Sequence, residues 1–195
     1  MSLSPTARLV LGREFQQPDR RTCGAATAVV AEALTNDTYA RRLLAGGDDV
    51  FESEVIAMHR RITGPVDVSG RMQAPWLRVA GTPPWALSRQ LERGQRRRGV
   101  VAARFRPGPA WVAMSSGLVD GQVVAAYVGD RWTPRHVVLA VERLEDAVRV
   151  YEPSSGRVVR VDRAEWIEGR LRLAGWRQPW FVLSPGRPTA RRNRA

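Results

Sequence analysis

The chain has 195 residues, 44% of them apolar, and a formal net charge of +12. A single cysteine excludes an internal disulfide framework, and with only two histidines it argues against a structural metal centre. No apolar run approaches the ~20 residues that span a bilayer, no internal repeat is visible, and the length suits one domain that buries roughly 70% of its unfolded surface. The first residues lack the basic, apolar and small-residue pattern of a secretory signal, so a cytoplasmic location is the default expectation. All 31 basic residues are arginine and none is lysine. They are scattered, apart from Arg96-Arg97-Arg98 and the tail from Arg187 to Arg194, and such blocks are usually solvated. Without a nucleic-acid-binding signature, the charge argues for attraction to acidic substrates or surfaces rather than for a nucleic-acid partner.

The first half reads as helix. Thr22 is an N-cap candidate for an apolar helix from Cys23 to Leu34. Asn36 or Asp37 opens a second helix, which Gly46-Gly47 ends. A third begins at Asp48 or Asp49 and stops near Gly64-Pro65. A fourth opens at Thr82-Pro83-Pro84 and runs to about Arg93. The second half changes period. Runs rich in β-branched residues at Val100 to Phe105, Gln122 to Val128, His136 to Val141, Val148 to Tyr151 and Val158 to Val161 read as strands, with a reversal at Glu145-Asp146. A short helix lies within Asp162 to Arg172, and a last strand spans Trp180 to Leu183. Helices first and antiparallel strands second predict an α+β domain of two packed lobes, with a cleft between them.

Cys23 stands at the start of its helix, six residues after Gln17. A cysteine nucleophile must ionise near neutral pH, which a helix N-terminus and a nearby imidazolium both favour. His136, in a strand, is the candidate base. The reversal at Glu145-Asp146 carries Glu152 back toward His136, where a carboxylate can fix the imidazole tautomer. The backbone N–H of Cys23 and the side-chain amide of Gln17 are candidate oxyanion donors, each worth about 3–4 kcal/mol of barrier. His59 sits beside Arg60 and Arg61 and reads as solvent-facing. Trp132 and Pro134 are candidates for a cleft wall or for packing, and Trp166, Trp176 and Trp180 read as core. Ser115-Ser116 lacks the setting of a nucleophile elbow.

In this order the motifs resemble the papain-like clan of cysteine peptidases, and within it the bacteriocin-leader-processing, or double-glycine-peptidase-like, group. The resemblance rests on Gln17, Cys23-Gly24-Ala25-Ala26, Gly121-Gln122-Val123-Val124, His136-Val137-Val138-Leu139, Glu152-Pro153-Ser154-Ser155-Gly156 and the closing Gly175-Trp176 to Leu183. It implies a papain-like two-lobed fold, with an N-terminal helical lobe carrying the nucleophile helix packed on a C-terminal antiparallel sheet. It implies Cys23 as nucleophile, His136 as base, Gln17 as oxyanion donor and the acidic position, here Glu152 where the family usually has Asp or Asn, as orienter.

The expectation is therefore a cofactor-independent thiol hydrolase that cleaves a peptide or isopeptide bond in a peptide or protein substrate, possibly an acidic one, through an acyl-enzyme. Deamidase, transglutaminase and acyltransferase chemistry use the same groups. The alternative is a catalytically silent papain-like module that binds a peptide or acidic partner. Residues 12–185 are expected to form the domain, with an N-terminal extension at 1–11 and a basic tail at 186–195.

Overall fold

Alternating burial in the second half of the chain builds a single sheet. The computed structural model describes residues 3–92, 98–119 and 122–186. Its strands are β1 (Arg98–Ala102), β2 (Val124–Gly129), β3 (Pro134–Arg143), β4 (Ala147–Glu152), β5 (Arg157–Asp162) and β6 (Gln178–Pro185). They lie in the order β1-β6-β2-β3-β4-β5, every neighbouring pair antiparallel. On β2 and β3, Ala125, Tyr127, Val137, Leu139 and Val141 belong to one core, whereas Val124, Ala126, Val128, Val138 and Ala140 belong to another. That period of two is the pleat itself. β2 is buried along its whole length, which is why it reads as a continuous apolar run.

The first core packs under the N-terminal helices: α1 (Pro5–Gly12), α2 (Cys23–Thr35), α3 (Asp37–Thr63) and α4 (Pro84–Leu91), with a 3₁₀ turn at Arg78–Ala80. The second packs under α5 (Pro107–Val119) and α6 (Arg163–Ile167). The architecture is α+β, N-terminal helices and a C-terminal antiparallel sheet, as expected. Helices cover both faces of the sheet, so a two-layer picture omits α5. That helix is disguised by Pro107, Gly108, Pro109, Gly117 and two serines. Prolines in a first turn cost nothing because those N–H groups have no helical acceptor, and Gly117 lets Val124 and Pro185 approach where a side chain would collide.

Other elements depart from the sequence reading. A helix with no counterpart in the sequence reading, Pro5–Gly12, spans most of the expected 1–11 extension and is capped by the Ser4 hydroxyl, with Ala7 and Val10 buried. The second and third predicted helices are both present and meet as expected at Gly47, whose non-helical φ of 61° and ψ of −148° make a kink between them within α3. Asn36 does cap it, its side chain accepting from the Tyr39 N–H. Arg98 is not solvated. It is buried, and its guanidinium donates to the carbonyls of Val123 and Leu183 at 2.6 and 3.2 Å. Burial lowers its pKa to about 10 against the opposing charge of Glu92. Arg93, Arg96, Arg97, Gly121 and the tail from residue 187 lie outside the described residues. Among the described residues no helix is long and apolar enough to cross a membrane.

Candidate active site

Among the described residues α2 has more buried positions than any other helix, ten from Cys23 to Ala33. Small and β-branched residues let it lie against β3, where the Thr27 hydroxyl donates to the Val137 carbonyl at 3.4 Å. Cys23 is its first residue. Thr22 occupies the cap position, but its hydroxyl gives no cap bond and instead donates to the Asp19 carbonyl at 3.1 Å. The first N–H groups of α2 therefore keep no side-chain acceptor, and they sit at the positive end of the helix dipole.

β3 and β4 form the hairpin expected around Glu145-Asp146, with Leu139 opposite Tyr151 and Ala140 opposite Val150. Val141 is the extra residue in a bulge, since Glu142 pairs with Arg149. His136 and Glu152 meet across this hairpin. His136 Nε2 lies 2.7 Å from Glu152 Oε1, and both side chains are buried. With Nε2 held, Nδ1 is the ring nitrogen left for the thiol. Burial opposes the charged imidazole, but hydrogen bonds to Cys23 and Glu152 and the charges of both outweigh it and raise the His136 pKa to about 9.

The carboxylate of Glu152 is fully engaged. Oε1 also accepts from the Ser154 N–H at 2.7 Å, and Oε2 accepts from the Ser154 hydroxyl at 2.8 Å and the Ser155 N–H at 3.0 Å. Burial would raise its pKa, yet the bonds from His136, Ser154 and Ser155 hold it at about 2. The extra methylene of Glu is absorbed here, because the side chain folds back over its own turn and reaches two backbone donors as well as the imidazole.

Gln17 is placed by the same turn. Its N–H donates to the Pro153 carbonyl at 2.8 Å, the Gln16 amide donates to the Ser155 carbonyl, and the Tyr151 hydroxyl donates to the Phe15 carbonyl at 2.7 Å. The Gln17 side chain spends one N–H on the Asp19 carbonyl at 2.6 Å, and its own carbonyl oxygen is buried without a partner. That nitrogen carries a second N–H besides the one given to Asp19.

Sequence reasoning missed a clamp on the start of α2. A Cβ on Gly24 would lie 2.5 Å from Thr82 Cβ and Oγ1, so the loop before α4 presses directly on the start of α2. The Thr82 carbonyl accepts from the Tyr127 hydroxyl at 2.9 Å. Burial, and after it the charge of Cys23, push the Tyr127 phenol well above its ordinary pKa. The one available signal was a glycine at the second position of an apolar helix. His59 is also not solvent-facing: it is buried, its Nδ1 has no partner, and burial lowers its pKa against Asp19 and the Arg78 carbonyl. Trp132 is 71% exposed, Trp166 is core, and Trp176 and Trp180 are partly buried.

The described residues hold no group of three or more His, Cys, Asp or Glu side chains able to bind a metal. No protein-family model and no curated protein matches the chain. Among solved structures it is similar to the peptidase domain of Streptococcus ComA, a bi-functional ABC transporter involved in a quorum-sensing pathway. The identity is 12%, covering 88% of this chain and 97% of that one, with a TM-score of 0.46.

Proposed function

We propose that this chain is a papain-like thiol hydrolase that cleaves a peptide or isopeptide bond through an acyl-enzyme. The observation that carries the reading is the buried His136–Glu152 pair, with Cys23 at the N-terminus of α2 close enough to help raise the imidazole pKa. With the thiol proton already held on His136 Nδ1, Cys23 Sγ attacks the substrate carbonyl carbon as a thiolate. The oxyanion that forms is met by the Cys23 N–H and the second side-chain N–H of Gln17. The C–N bond then breaks, and the amine departs with the proton from Nδ1. Water attacks the thioester, gives a proton to Nδ1, and the proton returns to sulfur as the C–S bond breaks. Glu152 keeps Nε2–H donating throughout, which holds the other nitrogen in register. With an amine acceptor in place of water, the same groups perform acyl transfer.

Alkylation by iodoacetamide tests the site without a known substrate. At pH 6 the wild-type chain is expected to react at least ~10-fold faster than His136→Ala, with Cys23→Ala inert. Equal rates in wild type and His136→Ala would remove the reading.

The alternative of a silent binding module is favoured by two observations: Cys23 is only 5% exposed, and the Gln17 amide already donates to Asp19. It predicts slow alkylation indifferent to His136 and peptide binding that survives Cys23→Ala.

A further inference from the structure

The loop that delivers His136 carries a second feature that the chemistry above does not use. Trp180 ties β6 to this loop through Nε1, which donates to the Asp130 carbonyl at 3.0 Å, and its own carbonyl accepts from the N–H groups of Ala103 and Arg104. Arg104 reaches the same place, donating to the Arg131 carbonyl at 3.4 Å with its guanidinium 5.9 Å from the Trp180 ring. The Arg131 guanidinium lies 4.2 Å over the ring of Trp132. Trp132 is 71% exposed and Phe105 84%, values that neither core packing nor solubility explains for such large rings.

The charges on this rim are unbalanced. Asp130 is spent internally: Oδ1 accepts from the N–H groups of Trp132 and Thr133, and Oδ2 pairs with Arg135 at 3.2 Å. Among the described residues, no carboxylate stands within ion-pair distance of Arg104 or Arg131. A guanidinium stacked on indole keeps its N–H edge directed outward, the geometry that receives a carboxylate in two bonds. The same stacking covers one face of Trp132 with the protein's own cation, which leaves less of that ring for a nucleobase to stack on. What fits is a chain alternating carboxylates with apolar side chains, its charges on Arg104 and Arg131 and its apolar groups against Phe105 and the uncovered edge of Trp132.

We propose that this rim, whose Trp132 precedes His136 by four residues, docks an acidic, partly apolar peptide segment of the substrate. The proposal rests on the hydrolase reading of the neighbouring site, but its test does not pass through Cys23. Tryptophan fluorescence of the full chain is titrated with a copolymer of glutamate and tyrosine, with poly-L-glutamate and with oligo-dT, at low salt. The copolymer is expected to bind tightest. Arg131→Glu is expected to weaken it ~10-fold, whereas Arg41→Glu, an equal charge change on α3, has little effect, and Trp132→Ala removes the advantage of the copolymer over poly-L-glutamate. Arg131→Gln serves if the reversal disturbs the fold, with a smaller loss expected. Equal weakening by Arg41→Glu would reduce the effect to net charge and overturn the proposal, as would tighter binding of oligo-dT. Iodoacetamide alkylation reports on Cys23 separately, so either reading can fail while the other stands.

Discussion

Replacing Glu152 by Gln keeps the shape of the side chain and removes its charge, and the surrounding donors make the cost calculable. Each carboxylate oxygen accepts from two groups: His136 and the Ser154 N–H on Oε1, the Ser154 hydroxyl and Ser155 N–H on Oε2. An amide has one oxygen, so in either orientation its NH₂ faces a backbone N–H and leaves it unpaired. An unmet donor costs about 1–3 kcal/mol, and breaking a buried pair from one side about 3–5 kcal/mol. The rise of His136 from 6.5 to about 9 corresponds to about 3 kcal/mol of preference, shared between Cys23 and Glu152. For a chain of this length 3 kcal/mol lowers Tm by about 6–12 °C. The sign with pH follows from the direction of each shift. The raised pKa of His136 stabilises the fold fully below 6.5, and this is lost as pH rises through about 9. The depressed pKa of Glu152 stabilises above 4.5, and this is lost as pH falls toward about 2. The Tm difference between wild type and Glu152→Gln is therefore largest between pH 4.5 and 6.5 and shrinks above pH 9. Thermal melts followed by circular dichroism from pH 4 to 10 measure it. A difference under about 2 °C, or one that does not vary with pH, would refute the pair as described.

Gly24→Ala drives a methyl into Thr82, so it is expected to cost about 1–3 kcal/mol in a urea titration and to slow Cys23 alkylation at neutral pH. If stability fell without a change in alkylation, the Thr82 contact would be packing alone. Gly156→Ala is expected to be the more damaging glycine substitution. Its φ is 72°, and the new carbon would land on the Glu14 carbonyl, displacing the segment that positions Gln17. Melting near the wild-type temperature would contradict that contact.

Much of this arrangement was written in local pattern. The apolar run after Thr22, the period-two strands and the Glu145-Asp146 reversal located α2, β2 to β5 and the meeting of His136 with Glu152, because each depends on neighbours within about twenty residues. The readings that failed depended on partners far along the chain. Nothing beside Arg98 announces the carbonyls of Val123 and Leu183 that hold it, and nothing beside His59 announces the Arg78 carbonyl. α5 was hidden because its prolines and glycine satisfy tertiary needs while imitating a loop. Glu152 is one methylene longer than the Asp or Asn of the resembled pattern, and the turn at Ser154 and Ser155 takes up that length with backbone donors, which no side-chain motif records.

The hydrogen bonds that join residues 15–17 to the turn after β4 bridge sequence separations of 136 and 139 residues. Contacts of that range close late in folding, after loop entropy has been met by the sheet. During synthesis the helix bearing Cys23 emerges well before the strands bearing His136 and Glu152, since chains grow at only about 5–20 residues per second. On the proposed hydrolase reading, a chain assembled in this order is chemically silent while it is incomplete. Its thiol gains a base only once the sheet has formed, and the chain becomes reactive as a whole molecule rather than piece by piece.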